Sequence, residues 1–164
     1  PEAVRAAIAA GQRVFGENRV QEAQGKIEAV GAGAEWHLIG HLQSNKCREA
    51  AEHFDWVQSL DRARLIEPLS RLRPAHRPPL NILIQVNADG EAGKSGCAPT
   101  EIAALAQAVA AAPSLCLRGL MAIPEPPRDF SRRRQTFRQL RAWFDQLRGA
   151  ARAGRAARGC SASP

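Results

Sequence analysis

The chain has 164 residues and a mass of 17.7 kDa, enough for one domain that buries roughly two-thirds of its unfolded surface. Its composition is 45% hydrophobic and 24% charged, ordinary globular values. It holds no apolar run of the ~18 residues a membrane helix needs, and Pro1-Glu2-Ala3-Val4-Arg5 lacks the basic and apolar regions of a signal peptide. The net charge of +7 sits in the last quarter: from Arg128 to Pro164 ten arginines face Asp129 and Asp145, while the rest of the chain is near neutral.

In chain order, Glu2–Ala10 reads as a helix stopped by Gly11, and Arg13–Gly16 as a short strand. Val20–Val30 reads as a helix with Asn18 as its cap and Gly31 beyond its end. Glu35–Ile39 is a strand ending at Gly40. Ser44 caps a helix over Asn45–His53; Asp55–Ser59 is a strand; Asp61 caps a helix over Arg62–Arg71. Pro74–Pro79 is a loop. Leu80–Asn87, with Ile82, Leu83, Ile84 and Val86, is the clearest strand. Gly90–Pro99 is a glycine-rich loop before a helix over Thr100–Ala111. Leu115–Ile123 is a strand ending at Pro124, and Phe130–Arg148 a long helix whose Phe137, Leu140, Phe144 and Leu147 fall at core-facing spacing. Gly149–Pro164 has no large apolar residue and is expected to be disordered.

Near-continuous apolar strands alternating with helices predict an α/β fold with a parallel sheet: about five strands and six helices. Both a doubly wound sheet and a (β/α)8 barrel fit, although a whole barrel takes about 250 residues. In either fold ligands bind where strands end, and Asn18, Gly40, Ser59, Asn87 and Met121-Ala122-Ile123-Pro124 all fall there.

The chemistry-bearing patterns are incomplete. Cys47, Cys97, Cys116 and Cys160 stand at least nineteen residues apart, which excludes C-x-x-C zinc or redox motifs. Four cysteines in such a chain point to a reducing cytoplasm rather than a disulfide scaffold. Ala88-Asp89-Gly90-Glu91-Ala92-Gly93-Lys94-Ser95 is one residue from a phosphate-binding loop, but Gly96 and Pro99 intervene before the next helix, where a phosphate loop needs its helix to begin. His37 and His41 are four apart without a third ligand, so no metal site is expected. His37 alternates with Trp36 and Leu38 and points either into a barrel interior or into a hydrogen-bonded core. Nucleic acid is not an expected partner, because the aromatics among the C-terminal arginines fall at core spacing.

Phe15-Gly16-Glu17-Asn18 followed by Val20-Gln21-Glu22-Ala23, then Trp36-His37-Leu38-Ile39-Gly40-His41-Leu42-Gln43-Ser44-Asn45-Lys46, closely resemble the pyridoxal-phosphate homeostasis protein family (YggS-like). Ile84-Gln85-Val86-Asn87 with Lys94-Ser95-Gly96, and Leu117-Arg118-Gly119-Leu120-Met121-Ala122-Ile123-Pro124, match it too. The resemblance covers about Pro1 to Arg148. It implies a partial (β/α)8 TIM-type barrel like the N-terminal domain of alanine racemase, cytoplasmic and monomeric at full length. It implies a holder of pyridoxal 5′-phosphate (PLP) rather than an assigned catalyst, with PLP-dependent apo-enzymes as recipients. A PLP-dependent amino-acid racemase is the rival reading; the chain has no tyrosine, a common racemase base.

For the site, the resemblance implies that Asn18 lies near the PLP ring, that Met121 backs the ring, and that His37 and Gly40 line the mouth. Lys94 in the glycine-rich loop is the best remaining amine for the cofactor, its alternative being a solvated loop charge. The family's Schiff-base lysine lies on a first strand that would precede Pro1. Its phosphate-binding turns follow the last helix matched here, where this chain runs instead into Gly149–Pro164. The expectation is therefore an incomplete PLP-binding barrel over residues 1–148 and an Arg/Ala/Gly-rich tail over 149–164, a truncated form impaired in binding. A shifted reading frame in a GC-rich gene would produce such a tail.

Overall fold

The computed structural model describes residues 1–91, 93–124 and 130–157, with side chains described up to residue 150. The elements alternate: α1 (Glu2–Ala9), β1 (Val14–Glu17), α2 (Val20–Val30), β2 (Glu35–Leu38), α3 (Cys47–His53), β3 (Trp56–Leu60), α4 (Ile66–Arg71), β4 (Leu80–Gln85), α5 (Ile102–Ala111), β5 (Leu115–Met121) and α6 (Phe130–Ala157). Short 3-10 turns at Ser44–Lys46, Ala63–Leu65 and Pro99–Glu101 lead into α3, α4 and α5.

The strand order decides between the two architectures that fit the sequence. The five strands lie in the order β1-β2-β3-β4-β5, every neighbouring pair parallel. A doubly wound sheet reverses its order at a switch point; this one never does. Crossovers of constant right-handedness that always step the same way put their helices on one face of the sheet, the construction of a (β/α) barrel. The protein is five strands of such a barrel.

That construction fixes the core. Trp36 and Leu38 on β2, Val57 on β3, and Leu80, Ile82 and Ile84 on β4 are buried on the helix side. They meet Ala23 of α2, Ala50 and Ala51 of α3, Leu69 of α4, and Ile102, Leu105 and Val109 of α5 in one cluster. The alternate positions of the strands face the other way and are largely polar. There Glu35, His37 and Gln58 form a chain of hydrogen bonds, and Arg118 Nε donates to Asn81 Oδ1 at 2.7 Å. His37 stacks on Trp56, with ring centres 5.1 Å apart. A polar inner face lets an open sheet meet water without stranding its apolar groups.

Arg73 closes the bottom of the fold. It is 7% exposed, donates to the carbonyls of Ala51 and Phe54 at 2.7 Å and of Pro78 at 2.8 Å, and so ties the end of α3 to the loop before β4. Burial, reinforced by the charge of Arg77, pushes its pKa down from 12.5 to about 10.

Several expectations are corrected. The N-caps of α2 and of the turns before α3 and α4 are Arg19, Gln43 and Arg62, none with a side-chain capping bond; Asn18, Ser44 and Asp61 do not cap. Asp61 instead pairs with Arg62 at 2.5 Å, and Asn18 is held at the mouth. Helix α6 continues to Ala157 rather than stopping at Arg148, so residues 149–157 are helical, not a disordered tail. Lack of apolar side chains argues against burial, not against helix, and alanine and arginine are among the strongest helix formers. Residues 158–164 of that expected tail lie outside the described residues. No helix among the described residues is long and apolar enough to cross a membrane.

Helix α6 packs against β5. Phe144 comes to 3.4 Å from where a Cβ on Gly119 would stand, beside Leu83. Leu140, Trp143 and Leu147 pack on the core cluster. An edge strand covered by a helix cannot pair with another chain.

Candidate functional site

The carboxyl ends of all parallel strands point to one rim, and the cavity of interest opens there. It has a volume of about 480 Å³ and is lined by Asn18, Ile39, Gly40, His41, Gln85, Lys94, Ser95, Ile123 and Pro124, within the size range of small-molecule sites. Residues from the ends of β1, β2, β4 and β5 thus converge, although 106 positions separate Asn18 from Pro124 in the sequence.

Local backbone geometry holds the mouth. The Ile39 N–H donates to the Glu17 carbonyl at 2.9 Å, which carries the β1–β2 ladder up to the rim. Gly40 then passes so close to Asn18 that a Cβ would stand 2.7 Å from its carbonyl carbon. Here a side chain is excluded by contact rather than by φ.

The glycine-rich loop is an arch closed at its base. The Cys97 N–H donates to Gln85 O at 2.9 Å and the Asn87 N–H to Cys97 O at 3.0 Å. Asn87 also braces the loop from within: its Nδ2 donates to Glu91 O at 2.9 Å and its Oδ1 accepts from Glu91 N–H at 3.2 Å. Gly96, at φ +123°, packs where a Cβ would stand 2.7 Å from the Val86 carbonyl carbon. The arch carries Lys94 and Ser95 to the cavity, and the Lys94 amine pairs with Glu91 at 2.7 Å. No helix starts at Gly93-Lys94-Ser95; the next helical turn begins at Pro99, so the backbone does not form a phosphate loop.

One cluster missed in the sequence lies here. His41 Nδ1 is 3.2 Å from Ser95 Oγ and 3.5 Å from Asp61 Oδ2, and its Nε2 is 3.4 Å from Arg62 Nη1. A serine, a histidine and an aspartate meet, but not as a nucleophilic relay. Arginine only donates, so His41 Nε2 accepts and the ring proton sits on Nδ1. Ser95 and Asp61 then share one N–H, and no free ring nitrogen faces the hydroxyl to take its proton. The arrangement leaves the Ser95 hydroxyl as a hydrogen-bond donor at the cavity, not an activated serine. Sequence spacing gave no sign of it, since fifty-four residues separate His41 from Ser95.

Of the residues singled out beforehand, Asn18, Gly40 and Lys94 meet at the cavity. His37 does not line it. Its Nε2 is 2.7 Å from Glu35 Oε1 and its Nδ1 2.6 Å from Gln58 Nε2, lower on the inner face of the sheet. It faces the barrel interior, one of the two readings weighed for it, and both its ring nitrogens are hydrogen-bonded there. Met121 pairs in register with Gln85 and accepts from the Val86 N–H at 2.8 Å; it supports the cavity from one step below and is not among the lining residues.

The donor set suits an anionic aromatic aldehyde: an amine, a hydroxyl and an amide for phosphate or phenolate oxygens, with Ile39, Ile123 and Pro124 for the ring faces. Buried thiols are close but shielded. Cys97 at the base of the arch is 3% exposed, and burial, with Glu101 nearby, pushes its pKa from 9.0 up to about 11.

Comparison with known proteins agrees with this fold. The family model for the alanine racemase N-terminal domain matches residues 1–164. The chain is 55% identical over 140 residues to the pyridoxal phosphate homeostasis protein of Pseudomonas aeruginosa, covering 85% of this chain and 61% of that one. Against the protein of the same name from Escherichia coli it is 51% identical over 150 residues, 89% of this chain and 64% of that one. It therefore spans under two-thirds of the length of these relatives. PipY of Synechococcus elongatus, solved without PLP, superposes with a TM-score of 0.83 at 38% identity, covering 92% of this chain and 71% of PipY. Its PLP-bound form superposes at 0.79 and 36% identity, covering 92% and 70%. Alanine racemase from E. faecalis, at 18% identity and a TM-score of 0.67, shares the fold alone.

Proposed function

The chain belongs to the alanine racemase N-terminal domain family, and from that premise we propose that it binds pyridoxal 5′-phosphate at the rim cavity, as a portion of an intracellular PLP homeostasis protein. The observation that carries the proposal is the convergence of Asn18, Gly40, Lys94 and Ser95 on one cavity with apolar walls, in a chain that superposes on PLP-bound PipY.

PLP supplies an aldehyde carbon that condenses with a lysine amine with loss of water. The chain's own residues set the terms for that. Lys94 is the one lysine lining the cavity; Lys26 and Lys46 are held by Glu17 and Glu49 at 2.5 and 3.0 Å. Lys94 is paired with Glu91, so it must leave that ion pair and be present as the free amine before it can act as a nucleophile. The Ser95 hydroxyl stands ready for a phosphate oxygen, with His41 holding it in place, and Gly40 keeps the Asn18 backbone against the wall. Residues 1–148 act as the binding unit. The role is storage and delivery of PLP to apo-enzymes in the cytoplasm rather than catalysis.

The test is titration of the 164-residue chain with PLP, followed by absorbance, borohydride reduction and peptide mapping. The expected result is one stoichiometric adduct at Lys94, absent from Lys94→Ala. No adduct, or equal labelling of Lys26, Lys46 and Lys94, overturns the proposal.

A further inference from the structure

Helix α6 carries more positive charge than it pairs, although Arg141 and Arg148 stack over Phe144, 5.9 and 5.7 Å from its ring centre. Arg132, Arg133, Arg134, Arg138, Arg141 and Arg148 are all exposed, with Asp145 as the one acid among the described side chains of the helix. Asp145 pairs with Arg141 at 2.7 Å; Arg134, Arg138 and Arg148 have no ion pair among the described residues. Steps of four, three and seven place Arg134, Arg138, Arg141 and Arg148 on one stripe, about 21 Å long at ~1.5 Å per residue.

Beside the stripe runs a groove of about 320 Å³ between α6 and strands β4 and β5. Phe137, Phe144, Leu83, Gly119, Arg118 and Arg141 line it. Phe137 is 49% exposed and Phe130, seven residues earlier on the same face, 75%. The core-facing spacing of the aromatics therefore holds for Phe144 but not for Phe137. The hydrogen bond from Arg118 Nε to Asn81 orients that guanidinium.

We infer that this surface binds single-stranded nucleic acid without sequence preference. A base stacks on Phe137 in the groove, Arg118 and Arg141 take the flanking phosphates, and Arg134, Arg138 and Arg148 track the backbone. A positive groove interleaved with an exposed aromatic is the pattern of sequence-tolerant single-strand binders. Every cation on the helix is arginine, whose planar fork fits phosphate better than an ammonium does. A duplex keeps its bases stacked inside and offers none to Phe137. An anionic membrane fits less well, because a helix lying on a bilayer must turn its apolar side into the lipid, and Leu140, Trp143, Phe144 and Leu147 of α6 already pack against the sheet or the core cluster. The site is separate from the rim cavity and stands or falls without it.

The experiment is fluorescence anisotropy of the full 164-residue chain with a short fluorescein-labelled oligouridylate over a series of KCl concentrations. Binding weakens steeply with salt, and the Arg134→Gln/Arg138→Gln double variant lowers the log–log slope by about 1.4, at ~0.7 per phosphate contact. Phe137→Ala weakens binding about ten-fold while Phe137→Trp preserves it, and circular dichroism of each variant confirms the helix. Affinity indifferent to salt, a Phe137→Ala variant that binds as the parent does, or binding to phosphatidylserine vesicles but not to the oligonucleotide would overturn the inference.

Discussion

Gly40 and Asn18 are packed backbone against backbone: a Cβ on Gly40 would stand 2.7 Å from the carbonyl carbon of Asn18 and 2.8 Å from its Cα. The obstacle is main chain at the end of β1, which cannot swing aside as a flexible side chain would. Gly40→Ala should therefore push the β1 and β2 ends apart, at a cost of about 1–3 kcal/mol, and open one wall of the cavity. Urea titration measures the first effect and PLP absorbance the second. An alanine variant with unchanged midpoint and unchanged PLP spectrum would show that the close approach carries neither stability nor site shape.

Arg73 is the buried cation of the bottom face, and its partners are three carbonyls rather than a carboxylate. Arg73→Met fills a similar volume but leaves those carbonyls without donors. The expected loss is about 3 kcal/mol, read as a fall in the urea midpoint at unchanged slope. Arg71, exposed and paired with Glu67 at 2.7 Å, is the control: Arg71→Met should cost within about 0.5 kcal/mol.

These two residues also mark what the sequence shows and what it hides. Strands such as Ile82-Leu83-Ile84 are legible because burial on one face demands a local pattern, and Val20–Val30 is legible because Gly31 ends it. Barrel and doubly wound sheet look alike in sequence, because strand order is a non-local property that no window contains. Asn18, Gly40 and Lys94 were recognisable from motif resemblance at strand ends. The His41–Ser95–Asp61 cluster was not, because an arched loop folded back over β4 brings it together. Helix α6 outran its expected end because exposed alanine and arginine carry helix propensity without any apolar period to reveal it.

Cys97 gives a pH dependence with a definite sign. Its thiol is raised to about 11 from 9.0, first by burial and then by Glu101. Between those values the unfolded chain has lost the proton that the folded chain keeps, so the contribution to stability is whole below pH 9 and is lost as pH rises through 11. Unfolding free energy should fall across that window in the parent chain and fall less in Cys97→Ala. The same burial predicts that iodoacetamide at pH 8 labels the half-buried Cys116 before Cys97, and Cys97 only in denaturant. Because the Cys97 backbone closes the arch that carries Lys94, alkylation of Cys97 in the native state would mean that this loop opens readily.

The two edges of the sheet are treated unequally, and that sets how the protein associates. Helix α6 lies over β5, but among the described residues β1 pairs with β2 alone, and Val14 on that free edge is 46% exposed. An unpaired strand edge with an exposed valine is a template for another chain. The parent protein should associate as its concentration rises, seen by sedimentation velocity, and unfold with a concentration-dependent midpoint. Val14→Lys places a charge on the edge, the device natural edge strands use, and should shift the distribution toward monomer with little change in helix content. A parent chain that stays monomeric and unfolds in one sharp, reversible step would show instead that the polar inner face and α6 suffice to close this part of a barrel.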